Sequence, residues 1–359
     1  MEGPPVSAAC DGDYSDSEEQ VMSEVHLGCP PNYSSPTISH FTFLLPSRQE
    51  DEHFDIRCDL DEDGDLIIPR RKKHRKDSFV LTIQHSITSS IPRVGLQVWK
   101  AELVLADFLL HKMLTSSDFN GVIAAELGAG TGMVGMLLAR VAKTVFITDH
   151  GDVVLDNCAK NVNLNAGLFQ PTASVYVREL DWKVSWPSLK NKDVSSPSRY
   201  GWNASDVEEL QRATLLVAAD VIYSDELTDA FFRTLAALMS QSGRKVLYLA
   251  LEKRYNFSLD DLDIVANGYT HFLSYLHDGC KQSTNCTPNF QDGLDTITNG
   301  ISHFQNLHGE NAQCNTNGNE VSHIFSGKRI GLAEIPQYVK EYERGEDVEL
   351  WEIVYKPKP

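Results

Sequence analysis

Several common signatures are missing from this sequence of 359 residues, and each absence excludes a class of protein. No apolar run approaches the roughly 18 residues that a membrane-spanning helix needs. Residues 1–20 have neither a basic start nor an apolar core, so we expect no secretory signal and no membrane partner. The phosphate loop G-x-x-x-x-G-K-[S/T] is also absent, so nothing favours a triphosphate ligand.

Cysteine is sparse, and its pattern suggests neither disulfides nor metal. The seven cysteines are scattered and include no C-x-x-C pair. This usage favours a reducing compartment over a disulfide framework. The Cys and His residues between 277 and 323 do not follow the spacings typical of zinc sites, so we expect no bound metal.

Basic residues are scarce in the first part of the chain. Residues 1–66 hold sixteen acidic and two basic side chains, which accounts for −14 of the net charge of −18. The rest is nearly neutral, so we expect no direct binding to nucleic acid. An acidic segment instead favours a basic partner, such as a nucleic-acid-associated protein.

These patterns divide the chain in two. Residues 1–78 are predicted to form an acidic, largely disordered N-terminal region, because they are rich in proline, serine and acid. Within it, the basic run 70–76 is interpreted as a nuclear-import signal, with a solvated linker or a nucleic-acid contact as alternatives. The expected location is the nucleus, with the cytoplasm left open. Residues 79–359 are predicted to form one domain with insertions at about 183–212 and 277–326.

Three glycines mark the centre of this domain. The apolar run 122–125 predicts a buried strand, and 133–141 predicts a helix. Between them lie Gly128, Gly130 and Gly132, which suit a tight turn that a ligand approaches closely. Strand, glycine turn and helix in this order are typical of the nucleotide-binding corner of a doubly wound α/β sheet, although a plain turn is the alternative.

Asp149 indicates which class of ligand this corner would bind. Residues 145–149 predict the next strand, which ends at this carboxylate about 20 positions beyond the glycines. An acidic residue at that distance binds the ribose diol of a nucleotide. The glycines follow G-x-G-x-G and no phosphate loop exists, so a nucleoside without phosphates fits best. S-adenosylmethionine is the common one.

Further runs extend the α/β pattern. Apolar or alternating stretches predict strands at 174–180, 214–219, 245–251, 269–276 and 348–355. The sequence predicts helices at 101–113, 152–166, 204–211, 227–240 and 259–266. Strands that alternate with helices favour a mostly parallel sheet.

Four short motifs lie at or near the ends of the predicted strands. They are Glu-Leu-Gly-Ala-Gly-Thr-Gly at 126–132, Thr-Asp at 148–149, Asp-Trp at 181–182 and Ala-Asp-Val-Ile-Tyr at 219–223. Together they resemble family 16 of the seven-β-strand S-adenosylmethionine-dependent methyltransferases, which are mostly protein-lysine methylases. The resemblance covers about 80–276 and 348–355. It implies a Rossmann-like seven-strand sheet whose last strand is antiparallel between the fifth and sixth, and S-adenosyl-L-methionine as cofactor.

The resemblance also implies cofactor-binding residues. Trp99 would lie over the cofactor and Trp182 would pack on the adenine, for which a flat apolar indole is suited. Asp181 would accept a hydrogen bond from the adenine amino group. Glu126 would orient the methionine amino group, with a structural hydrogen bond within the turn as its alternative role. The full predicted set is Trp99, Glu126, Gly128, Ala129, Gly130, Gly132, Asp149, Asp181, Trp182 and Ala219.

The predicted catalytic residues are Asp220 and Tyr223. Asp220 ends the fourth predicted strand, at the edge where such sheets bind ligands, and the pair matches the [D/E]-x-x-[Y/F] motif of the resembled family. Methylases of base amines usually carry Asn/Asp-Pro-Pro-Tyr/Phe here, whereas this chain has Val-Ile between the two residues. We therefore expect Asp220 to position a lysine amine, with Tyr223 assisting. The alternative roles of Asp220 are a helix N-cap and a bridge to a loop.

The expected function is protein-lysine N-methylation of a nuclear protein. Two alternatives remain open at this point. The first is a nucleic-acid methylase on the same fold. The second is a non-catalytic, cofactor-binding scaffold whose acidic N-terminal region recruits basic proteins.

Overall fold

The computed structural model describes residues 20–26, 36–46, 59–60, 66–67, 77–187, 199–241, 243–258, 263–278 and 324–356. The strands there are β1 (Gln20–Met22), β2 (Thr37–Leu44), β3 (Asp59–Leu60), β4 (Leu66–Ile67), β5 (Ser78–His85), β6 (Thr88–Ser90), β7 (Ile123–Leu127), β8 (Thr144–Asp149), β9 (Ser174–Glu179), β10 (Leu215–Ala219), β11 (Val246–Glu252), β12 (Asn256–Ser258), β13 (Asp263–Val265), β14 (Leu276–Asp278), β15 (Phe325–Ile330) and β16 (Val348–Tyr355). The helices are α1 (Lys100–Thr115), α2 (Met133–Leu138), α3 (Asp152–Asn165), α4 (Ala204–Gln211), α5 (Asp225–Met239) and α6 (Asn267–Leu273). Short 3₁₀ helices span Glu24–His26, Ile91–Leu96 and Ala166–Leu168.

The main sheet of the described chain has the strand order β14-β15-β16-β11-β10-β7-β8-β9. Strands β7 to β11 are mutually parallel, and β16 runs antiparallel to both of its neighbours, β11 and β15. This confirms the α/β architecture with an antiparallel last strand. The short β14 adds one more strand at the edge. Chain order reverses between β7 and β10, which is where open α/β sheets bind ligands.

Helices cover both faces of this sheet. In β10, Val217 packs with the core that contains α1 and α2, whereas Leu216 packs with the core that contains α5 and α6. The alternation follows from the two-residue period of a strand. Because both faces are covered, β10 is a continuous apolar run, and β7 is apolar except for Glu126. None of the described helices is long and apolar enough to cross a membrane.

The predicted strand at 269–276 is wrong for most of its length. Residues Asn267–Leu273 form α6, and Tyr269 and Phe272, three positions apart, lie with their ring centroids 6.1 Å apart as helical spacing requires. The sixth position of the sheet is taken by β15. Its sequence, Phe-Ser-Gly-Lys-Arg-Ile, is too polar to be recognised as a strand beside a long polar segment. The predicted helix at 259–266 is also wrong where the chain is described, because Asp263–Val265 form β13 and pair with β12.

The N-terminal region is predicted to be largely disordered, but two of its segments pair with strands of the domain. Strand β2 pairs antiparallel with β5 over its whole length, and its Phe41 and Phe43 are buried. Strand β1 pairs with β6. Ser23, which follows β1, donates its backbone N–H to the Gln97 side-chain oxygen and its hydroxyl to the Val98 carbonyl oxygen. Burial of the two phenylalanines outweighs the polar composition around them. The basic run 70–76 lies outside the described residues, as do 188–198 and 279–323 of the predicted insertions.

A ladder of asparagines on α3 fixes the glycine turn relative to strand β5. Asn161 accepts a hydrogen bond from the Gln84 backbone N–H and donates to the carbonyl oxygens of Gln84 and Thr131. One turn later, Asn165 pairs in the same way with the backbone of Thr82. The side chains supply the hydrogen bonds that the edge of β5 would otherwise lack, and they hold the turn that precedes α2.

Candidate active site

A crevice of about 390 Å³ opens at the carboxyl ends of the central strands. The two predicted catalytic residues and all but one of the predicted cofactor-binding residues line it. They are Trp99, Glu126, Gly128, Ala129, Gly130, Asp149, Asp181, Trp182, Ala219, Asp220 and Tyr223. The structure therefore brings together residues that are up to 124 positions apart in the sequence.

Backbone geometry explains the first two glycines. Gly128 has φ +68°, and a Cβ there would lie 2.7 Å from a methyl of Val221 and 3.0 Å from the Trp182 ring. Gly130 has φ +51°, and a Cβ would lie 2.9 Å from the Gly95 carbonyl oxygen. Both positions combine a left-handed backbone with close contact, which only glycine tolerates. The Gly130 amide donates to the Asp149 carboxylate at 2.6 Å, so the turn and the end of β8 are tied together.

Gly132 is the predicted site residue that does not line the crevice. It precedes α2 with φ +80°, and a Cβ there would lie 2.7 Å from the Cys158 sulfur on α3. Its role is thus to let α2 pack closely against α3. The alternating glycine pattern does not distinguish this packing role from ligand contact.

Buried carboxylates give the crevice its electrostatic character. Glu102 of α1 accepts hydrogen bonds from the Thr131 hydroxyl and the Met133 amide, and burial raises the pKa of Glu102 to about 7. Glu126 accepts from the Gly135 amide, and burial together with the charge of Glu102 raises the pKa of Glu126 well above its usual value. Burial likewise raises the pKa of Asp149. Three desolvated carboxyl groups favour a ligand that carries positive charge.

This set of side chains fits S-adenosylmethionine. The cofactor carries an ammonium and a sulfonium, which the crevice would stabilise through Glu102 and Glu126, and a ribose diol, for which Asp149 is an acceptor. The crevice wall also offers aromatic surface at Trp99 and Trp182. No group of three or more His, Cys, Asp or Glu side chains in the described ranges is placed to hold a metal ion.

The two tryptophans are anchored differently. The Trp99 indole N–H donates to the Val94 carbonyl at 3.0 Å, and the Arg254 guanidinium lies 4.8 Å from the centroid of its ring. Trp182 packs edge-on against Phe231, with ring centroids 5.1 Å apart. Both remain only partly buried, which leaves aromatic surface toward the crevice.

Asp220 lies at the mouth of the crevice in an unusual backbone conformation. Its φ of +55° makes it the one non-glycine residue with positive φ in the described part of the chain. Aspartate tolerates this region better than most residues do. Its carboxylate accepts a hydrogen bond from Arg254 at 2.5 Å and only a long one, 3.4 Å, from the Glu252 amide. It does not cap α5, because Ser224 is the N-cap there. Its contact with Arg254 does bridge to the segment that follows β11, as the second alternative role predicts.

Tyr223 follows Asp220 and reaches the same opening. It is 45% exposed, the largest exposed fraction among the aromatic residues that line the crevice. Desolvation and the carboxylates of Asp149 and Asp220 raise the pKa of Tyr223 to about 12, so the phenol stays protonated at neutral pH. A protonated phenol beside a carboxylate can donate or accept a hydrogen bond with an incoming amine.

The sequence does not assign several residues that shape the site. Glu102 is one, although a carboxylate between Ala101 and the apolar run 103–106 of α1 is a signal that could identify it. Arg254 belongs to the charged run Glu-Lys-Arg at 252–254, and the sequence alone gives this run no role. Glu24 precedes the predicted domain boundary at residue 79, yet its carboxylate lies 3.1 Å from the Arg254 guanidinium. No local sequence pattern indicates this contact.

Comparison with known proteins gives one family. The family model described as lysine methyltransferase matches residues 75–267, which is more than half of the chain. That range contains the glycine turn, Asp149, the Asp-Trp pair and the Asp220–Tyr223 motif.

Individual relatives agree with the family match. The chain is 34% identical over 254 residues to methyltransferase-like protein 22 of Homo sapiens, which covers 61% of each chain. It is 31% identical over 285 residues to methyltransferase-like protein 22 of Mus musculus, covering 69% of this chain and 70% of that protein. It is also 31% identical over 178 residues to a Mus musculus protein named protein N-lysine methyltransferase METTL21A, covering 49% of this chain and 69% of that one.

Among solved structures, the similarity is remote. Magnesium protoporphyrin IX methyltransferase from Synechocystis PCC 6803, solved with bound SAM, matches with a TM-score of 0.34 and 13% identity, over 71% of this chain and 80% of that one. The alignment with the human relative spans less than two thirds of either protein.

Proposed function

Because the chain belongs to the lysine methyltransferase family, we propose that it transfers a methyl group from S-adenosylmethionine to the side-chain amine of a lysine in a protein. The single observation that carries this proposal is the arrangement of Asp220 and Tyr223 at the mouth of a crevice whose walls hold buried carboxylates. The inner carboxyl groups suit a cationic cofactor. The outer pair suits a slender alkyl amine.

The residues of this chain contribute positioning rather than covalent chemistry. When bound, the cofactor supplies a methyl on sulfur, and the lysine lone pair forms the N–C bond while the S–C bond breaks and its electrons stay on sulfur. The lysine, with a free pKa of about 10.4, must first release a proton to solvent. Asp220 would hold the amine in line, and Tyr223 would orient it through its hydroxyl. Holding two reactants in an attack geometry is a large part of the barrier reduction in such displacements.

The relatives support a protein substrate. Those named as protein-lysine methyltransferases include the METTL21A proteins of Mus musculus and Danio rerio. Val221 and Ile222, between the two motif residues, are both buried, and Val221 lines the crevice. They stand where methylases of base amines usually carry two prolines, which supports an alkyl amine as the acceptor.

Label transfer tests the proposed activity. The purified chain is incubated with methyl-labelled S-adenosylmethionine and proteins of a nuclear extract, and the product is digested separately with protease and with nuclease. We expect label in a few protein bands that protease removes and nuclease does not. Label that only nuclease removes would establish the nucleic-acid methylase instead. Absence of label with a bound cofactor would favour the scaffold.

We further propose that the protein acts in the nucleus on a basic acceptor. The basic run 70–76 supports nuclear import, and the acidic residues within 1–66 support attraction to a basic surface. A fluorescent fusion is expected to concentrate in the nucleus, and a variant with the Lys and Arg residues of 70–76 changed to Gln is expected to spread through the cytoplasm. An unchanged distribution would contradict the import role.

A further inference from the structure

Arg254 contacts three residues around the site, and the proposed mechanism gives Arg254 itself no role. Its guanidinium donates to Asp220 at 2.5 Å and to Glu24 at 3.1 Å, and it lies over the Trp99 ring at 4.8 Å. Strand β11 ends two residues before it, so the backbone holds it at the edge of the sheet where the crevice opens. A five-donor planar group suits this bridging position better than an ammonium would.

Arg254 is surrounded by an excess of carboxylates. The charged and titratable groups around it and Asp220 come from every neighbouring element: Glu24 of the N-terminal 3₁₀ helix, Lys100 and Glu102 of α1, Asp220 and Tyr223 after β10, and Glu252 of β11. Lys100 pairs with Glu252 at 2.5 Å. Glu24 and Glu252 each keep one buried carboxylate oxygen without a partner among the described residues. A lysine ammonium that enters this site therefore meets mainly negative charge.

That excess poses a chemical problem for the proposed reaction. A carboxylate beside an amine favours its protonated form, yet only the neutral amine has the lone pair that attacks the methyl. Asp220 alone would thus hold the lysine in the unreactive state. A fixed positive charge on the same carboxylate opposes this effect, because like charges within about 4–6 Å disfavour each other.

We propose that Arg254 is a positioning residue that promotes loss of the proton from the acceptor lysine while it holds Asp220 in place. This inference rests on the proposed function and deepens it. Glu24 contributes by holding the other side of the guanidinium, so the N-terminal segment 20–26 is part of the acceptor site. Burial lowers the pKa of Arg254, but the carboxylates of Asp220 and Glu24 raise it by more. The guanidinium therefore stays charged at every pH at which the reaction is measured.

The test is the pH profile of label transfer at saturating methyl-labelled cofactor, with the extract proteins as acceptor. For Arg254→Met, we expect the profile to move to higher pH by about one unit. At pH 7 this lowers the rate by about tenfold, because each unit changes the neutral fraction tenfold. The rate should recover as the pH approaches 9.5. Arg254→Lys keeps the charge and is expected to keep the wild-type profile.

Controls separate this effect from damage to the fold. Arg244→Met, which removes an exposed arginine before the opposite end of β11, is expected to leave the profile unchanged. Binding of S-adenosylhomocysteine by calorimetry reports whether the crevice is intact in each variant. An Arg254→Met rate that falls equally at every pH would overturn the inference and leave the proposed function standing. No label from the wild type would overturn both.

Discussion

Replacing Asp220 by asparagine is expected to lower the turnover of protein methylation by about 100-fold, the size of effect that loss of alignment produces in a displacement reaction. Asparagine is nearly isosteric and tolerates the positive φ of this position, so the backbone should be retained. What is lost is the negative charge that holds both the acceptor amine and Arg254. The measurement is label transfer to extract proteins at saturating cofactor.

The cofactor end of the crevice should be unaffected by this change. Binding of S-adenosylhomocysteine to Asp220→Asn is therefore expected to match that of the wild type. Asp225→Asn is the matched control, because Asp225 is an exposed residue in the first turn of α5 and does not line the crevice. Unchanged turnover in Asp220→Asn would remove Asp220 from the reaction.

Replacing Asp107 by alanine is expected to destabilise the fold by about 3–5 kcal/mol, the usual cost of breaking a buried ion pair by removing one partner. Asp107 of α1 is fully buried, receives 2.7 and 2.9 Å hydrogen bonds from the amides of Tyr338 and Val339, and pairs with Arg344 at 2.7 Å. The Tyr342 hydroxyl also donates to it. Without the carboxylate, these donors are buried and unsatisfied.

Chemical denaturation followed by tryptophan fluorescence measures this effect. Asp118→Ala is the matched control, because the Asp118 carboxylate is exposed and lies 3.9 Å from Lys112. Such surface pairs contribute about 0–1 kcal/mol. If Asp107→Ala unfolded at the same denaturant concentration as Asp118→Ala, the tie between α1 and the segment around 338–344 would not stabilise the fold.

Residues within a few positions of a strand end could be placed from the sequence. The glycine turn, Asp149, Trp182 and Asp220 each follow an apolar run whose length and period indicate a strand. In a parallel sheet, the carboxyl ends of neighbouring strands meet at one edge. The crevice in which these residues meet follows from that topology.

Contacts between distant segments could not be predicted in this way. Glu24 reaches Arg254 across 230 positions, and β2 pairs with β5 across a segment that is rich in charge. Neither contact leaves a periodic pattern, because each depends on tertiary packing of a short segment. Strand β15 cannot be predicted from the sequence for a related reason. Its polar residues do not alternate with apolar ones in a strand pattern, and its Gly327 is required by tertiary packing, since it makes room for the Leu276 side chain.

The identity of the labelled amino acid tests the central claim most directly. Extract proteins labelled by the wild-type chain and by Asp220→Asn are hydrolysed to amino acids, which are separated by chromatography. We predict that the label elutes as methylated lysine in the wild-type sample and is nearly absent from the variant sample. Label in any other amino acid, or equal methyllysine in both samples, would contradict the account.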